Sequence, residues 1–142
     1  MNSSLRRACA WSAPWAALLL VALGGPAWAA GDLMLTGANE VPAVSTSASG
    51  SGRITVAADG AVSGSVKTTG IAATMAHIHV GSAGKNGPVI VPLSKGADGS
   101  WSVPAGAKLT AEQMKSYQAG ELYVNVHSDA YKGGEIRAQL MP

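Results

Sequence analysis

Past the first thirty residues the chain alternates short apolar runs with clusters of Gly, Ser, Asp and Pro. That rhythm predicts strands separated by tight turns, as in an antiparallel sandwich or barrel. Leu33-Met34-Leu35-Thr36 is a first strand, and 37–52, rich in Ser, Ala and Gly around Pro42, reads as a loop with freedom to move. Arg53 to Ala57 and Ala61 to Thr68 flank Asp59-Gly60. An Asp-Gly pair between alternating runs signals a hairpin, here with Val62, Gly64 and Val66 on one face. Further strands are predicted at 75–80, 88–93, 101–103, 121–127 and 135–141. One segment breaks the period. Thr110 can cap a helix over 111–118 that ends before Gly120, with Leu109, Met114 and Tyr117 docking it on the sheet. The expected fold is all-β, a Greek-key antiparallel β-sandwich of about 7–9 strands with one short helix near 110–118.

The first 29 residues follow a different rule. Arg6-Arg7, an uncharged apolar run over 16–23, a helix-breaking Gly24-Gly25-Pro26 and the small-residue pattern Ala27-Trp28-Ala29 form the three parts of a secretory signal. The apolar run is shorter than the roughly 20 residues needed to span a bilayer. Residues 1–29 are therefore expected to be a cleaved signal peptide and 30–142 the mature domain, periplasmic or secreted. The full chain carries ten basic and eight acidic side chains, and loss of Arg6 and Arg7 leaves eight of each. A neutral domain offers no electrostatic footprint for nucleic acid or, after cleavage, for a membrane surface. Cys9 leaves with the signal, so the mature domain holds no disulfide despite a compartment that permits one. It has no Phe, and Trp101 is its largest apolar side chain, expected in the core.

All three histidines fall in predicted strands. Side chains alternate along a strand, so Met75, His77 and His79 share one face, opposite Ala76, Ile78 and Val80. In 122–127, Leu122, Val124 and Val126 point one way, and Tyr123, Asn125 and His127 the other. The imidazoles thus lie on the faces turned away from the apolar core. A His-x-His pair on a strand sets two imidazoles about 7 Å apart at Cα, close enough for their nitrogens to converge on one ion. A third His from a neighbouring strand completes a trigonal set. Imidazole suits copper, zinc, nickel and iron; the nearby thioether of Met75 favours reduced copper as a fourth or axial ligand. Without Cys thiolate, blue-copper and Cys-type zinc centres are excluded. Tyr123 and Asn125 read as exposed strand residues flanking the cluster, with Asn125 or Asp129 available to orient an imidazole.

Other chemistry finds less support. His127, Ser128 and Asp129 are too close in sequence for a catalytic triad, and no Gly-x-Ser-x-Gly elbow is present. The glycines of 81–87 lack the Lys-Ser/Thr ending of a phosphate loop and serve turns instead. Glu40, Glu121 and Glu135 form no evident carboxylate pair.

Several stretches together resemble the CHRD (chordin) domain: 76–81 (Ala-His-Ile-His-Val-Gly), Gly84, 86–89 (Asn-Gly-Pro-Val), 122–128 (Leu-Tyr-Val-Asn-Val-His-Ser), 133–140 (Gly-Gly-Glu-Ile-Arg-Ala-Gln-Leu) and the opening 35–42. The likeness spans about residues 33–141; Ala138 stands where the family usually has Gly. It implies a β-sandwich of the kind found in extracellular chordin and as single domains in exported bacterial proteins. A looser similarity is to copper–zinc superoxide dismutase, where a His-x-His strand and a later His hold copper, in the order of His77, His79 and His127. The bridging histidine, zinc ligands and disulfide of that enzyme have no counterpart here, so the resemblance implies a copper site without dismutase activity. Arg137 is expected to pair with Glu135 or to cap a turn. Three function classes follow: a copper-binding module for buffering, carriage or sensing; a metal-free adhesion or partner-binding module whose loops 37–52 and 81–87 do the recognising; and, behind these, a redox metalloenzyme, which needs an open coordination position and a substrate channel.

Overall fold

The computed structural model describes residues 31–142; the expected signal peptide lies outside the described residues. Nine strands and one helix follow in chain order: β1 (Leu33–Thr36), β2 (Ser49–Val56), β3 (Val62–Thr69), β4 (Ala73–Val80), β5 (Val89–Pro92), β6 (Ser94–Lys95), β7 (Ser100–Ser102), α1 (Ala111–Gln118), β8 (Leu122–Ser128) and β9 (Ile136–Leu140). They form one antiparallel sheet in the order β5-β4-β8-β9-β1-β2-β3-β7-β6. The sheet folds over and nearly closes like a barrel. Leu93 N donates to Ala76 O at 2.9 Å, and Lys95 Nζ to Ala73 O at 2.9 Å, drawing the far end of the sheet back to β4. The expected all-β sandwich is thus present, and its long crossovers place β8 between β4 and β9.

The interior is filled from every strand face that the alternation assigned to it. Leu35, Ile54, Val66, Ile78, Leu122, Val124, Val126, Ile136 and Leu140 are all buried, with Trp101 among them. The helix is capped as expected: Gln113 N donates to Thr110 Oγ1, and Thr110 N to Gln113 Oε1, a reciprocal box that satisfies two otherwise orphaned amides. Leu109 and Tyr117 bury and Met114 packs beside them, seating α1 on the sheet.

Two expectations need correction. Strand β2 begins at Ser49, because 49–52 pair with β1 over Leu33 to Thr36. The rest of the 37–52 segment is not a free loop. A 3-10 turn (Gly37–Asn39) opens it, Val44 N bonds back to Gly37 O, Asn39 Nδ2 donates to Arg137 O, and Glu40 and Ala48 are buried. Small residues let this segment lie flat on the sheet, which polarity alone had disguised. The second correction concerns β8. All seven of its residues are buried, so Tyr123 (1% exposed) and Asn125 (2%) are not on a solvated face.

Candidate metal centre

Strands β4 and β8 are direct neighbours, and their register sets Met75 opposite His127, His77 opposite Asn125 and His79 opposite Tyr123. The three histidines therefore meet on one face. Each can offer one ring nitrogen such that all three nitrogens lie within 4.8 Å of one another. His77 Nδ1 and His127 Nε2 face each other at 3.1 Å. His79 and His127 are buried, and His77 is half-buried at the rim.

Two loops fix the inner pair. His79 Nδ1 lies 2.9 Å from Gly87 O, and His127 Nδ1 lies 2.9 Å from Lys132 O. A carbonyl only accepts, so each ring carries its proton on Nδ1 and presents an Nε2 lone pair to the cluster, that of His127 accepting from His77 Nδ1. Backbone carbonyls thus orient the imidazoles. The side chains expected in that role stand elsewhere: Asp129 is exposed, and Asn125 Nδ2 reaches Gly133 O at 3.5 Å. His79 Nε2 is buried without any hydrogen-bond partner.

The carbonyls are held in turn. Around the 128–134 turn, Ser128 Oγ donates to Glu135 Oε2 at 2.5 Å and accepts from Tyr131 N, while Glu135 Oε1 accepts from Thr46 Oγ1. Across 81–88, Arg137 donates to Ser82 O, Lys85 O and Asn86 Oδ1, and Asn86 Nδ2 donates to Val41 O. Arg137 therefore caps a turn, as expected, but does not pair with Glu135, whose two oxygens are taken by Thr46 and Ser128. At Gly87 a Cβ would collide with Val80 O, so only glycine brings this carbonyl up to His79.

Electrostatics favour neutral imidazoles. Burial first, then the neighbouring His127 and His79, holds His77 below the ordinary imidazole value. His127 is also lowered, chiefly by burial and secondarily by His79, against the opposing pull of the Lys132 carbonyl. Neutral rings keep their lone pairs for a ligand. Glu40, buried near Arg137 and Asn125, goes the other way: desolvation outweighs the Arg137 charge and pushes its carboxyl up to about 7.

The nitrogen set fits a transition metal. Three nitrogens sharing an ion at about 2.0–2.1 Å in trigonal or tetrahedral geometry stand about 3.4–3.6 Å apart, so a pair at 4.8 Å closes by about 1.3 Å when the rings take up an ion. Met75, opposite His127 on the same face, is 47% exposed and stands at the outer edge of the cluster. The sequence pattern singled out the three histidines and set Arg137 at a turn without tying it to them; it missed Gly87 and Lys132, which act through backbone carbonyls. One available signal was the placement of Arg137 on the same sheet face as Tyr123, where an unpaired strand arginine needs acceptors.

Fold and site together define a nearly closed antiparallel β domain with a loop-covered tri-histidine cluster. The CHRD domain pattern matches residues 32–140, and the chain belongs to the CHRD domain family. No curated protein and no solved structure matches it.

Proposed function

We propose that this chain is an exported copper-binding CHRD protein in which His77, His79 and His127 hold one copper ion, with Met75 as a fourth or axial ligand. The observation that carries this reading is the bare Nε2 of His79, a buried acceptor with no donor, beside two further imidazole nitrogens. A buried polar atom left unpaired costs about 1–3 kcal/mol, and an ion shared with His77 and His127 removes that cost. Copper is favoured among the imidazole-binding metals by two features. A thioether lies at the rim, and the donors, three imidazoles and that thioether, carry no negative charge. A low-charge, soft ion such as Cu(I) suits that set better than a divalent one. Export rests on the signal pattern of residues 1–29, and it places the domain where copper is bound, carried or sensed outside the cytoplasm.

The test is a titration of the purified protein with Cu(I) and Cu(II), beside a His77→Ala, His79→Ala double variant. One-to-one binding that is lost in the variant supports the reading. Equal, weak binding by both proteins refutes it. Mass analysis of protein recovered from the periplasm or medium tests export; a chain beginning near residue 30 is the expected product.

A further inference from the structure

The largest fully buried side chain among the described residues is a charged one, Arg137, at 1% exposure. No carboxylate lies within ion-pair distance of it; the ion pair found among the described residues is Arg53–Asp32, on the surface. Burying an unpaired guanidinium is expensive unless every donor is used and the charge is otherwise compensated. Here the two terminal nitrogens are bonded and the guanidinium is stacked on an aromatic ring, which meets much of that demand. Its terminal nitrogens donate to Ser82 O (3.1 Å), Lys85 O (2.9 Å), Asn86 Oδ1 (3.3 Å) and Gln139 Oε1 (3.5 Å). Its Cζ lies 3.4 Å from the ring centre of Tyr123. The same ring is stacked with His79, centroids 4.7 Å apart and planes within 5°. Because β8 runs between β4 and β9, His79 and Arg137 approach Tyr123 from opposite sides.

Two routes thus run from Arg137 to His79. One passes through the Tyr123 ring. The other passes through the 81–88 loop, where Tyr123 Oη accepts from Gly87 N at 3.1 Å and Gly87 O meets His79 Nδ1. A planar fork is required to stack and to donate to three acceptors of one loop at once; an ammonium group cannot do both.

We infer that Arg137 is the positioning residue of the histidine cluster, clamping the 81–88 loop and the Tyr123 ring so that His79 keeps its proton on Nδ1 and its Nε2 aimed at the site. The ligand-binding consequence rests on the copper reading above; the effect on His79 does not. His127 supplies an internal control, since its carbonyl partner belongs to the separate 128–134 turn held by Ser128 and Glu135.

The experiment is imidazole 15N spectroscopy of the metal-free full chain at pH 8, for the native protein, Arg137→Lys and Asn86→Ala, with copper affinity measured in parallel. The native protein shows His79 and His127 both as the Nδ1–H form. In Arg137→Lys, His79 becomes a mixture of tautomers, His127 is unchanged, and copper affinity falls about tenfold, as for other groups that orient a metal ligand. Asn86→Ala, at an exposed loop position, gives a smaller change of the same kind and carries the test if Arg137→Lys does not fold. An unchanged His79 in the variants, or His79 and His127 changing together, overturns the inference. If His79 alone responds but no form of the protein binds copper, the positioning role stands and the copper reading falls.

Discussion

The two faces of β8 are buried to the same degree by opposite means. Leu122, Val124 and Val126 sink into the apolar interior, whereas Tyr123, Asn125 and His127 are sealed beneath two polar loops. On the first face burial is non-directional, and any well-fitting hydrocarbon serves. On the second, each polar atom needs a partner at a set angle, so the loops must arrive in one arrangement. The contrast explains why stability and ligand chemistry can be separated in one strand. The inner face holds the fold together. The outer face spends part of that stability on geometry, and it leaves His79 Nε2 bare.

The largest expected effect comes from cutting the inner face. Leu122→Ala removes a side chain with no exposed surface and should destabilise the protein by about 3–5 kcal/mol in denaturant unfolding. Its copper affinity, measured where the variant is still folded, should stay within a few-fold of native. Cutting the outer face should do the reverse. His79→Ala is expected to lower copper affinity by about 100-fold or more and to cost less stability than Leu122→Ala, because the lost Tyr123 stacking and Gly87 O bond are partly offset by removal of an unpaired buried acceptor.

Smaller effects follow from charge. The Glu40 carboxyl has its folded value raised to about 7 from 4.5, so its contribution to stability is complete below 4.5 and is lost as pH rises through 7. Glu40→Gln should therefore stabilise the protein at pH 8, by about 1–3 kcal/mol, and do little at pH 4.5, as read by thermal unfolding at the two pH values. His77 and His127 act with the opposite sign. Their folded values lie below the ordinary one, so the unfolded chain takes up protons first, and stability falls as pH drops from about 6.5 through those lower values. Copper binding should follow the same direction, nearly independent of pH above 6.5 and weakening below it, which titrations across pH 5–8 would show.

Much of this was legible in the residues because local physics decided it. The Asp59-Gly60 hairpin, the Thr110 capping box and the alternation in β4 and β8 depend on neighbours in sequence, and each stands where expected. The histidines could be placed on one side of their strands for the same reason. Their convergence depended on β4 pairing with β8 across more than forty residues, which no local pattern encodes. The cover over Tyr123 and Asn125 was hidden more deeply. A Ser-, Ala- and Gly-rich stretch looks the same whether it is solvated or, as around Glu40 and Ala48, lies flat on a sheet. The groups that orient His79 and His127 are backbone carbonyls, which every residue has, so composition could not mark Gly87 or Lys132.

The most direct test of the account is X-ray absorption at the copper edge of the loaded protein. The account predicts the multiple-scattering signature of about three imidazoles with nitrogens near 2.0 Å, reduced in His127→Ala and accompanied by a sulfur shell where Met75 binds. A spectrum without imidazole scattering, or one unaltered by the loss of His127, would contradict it.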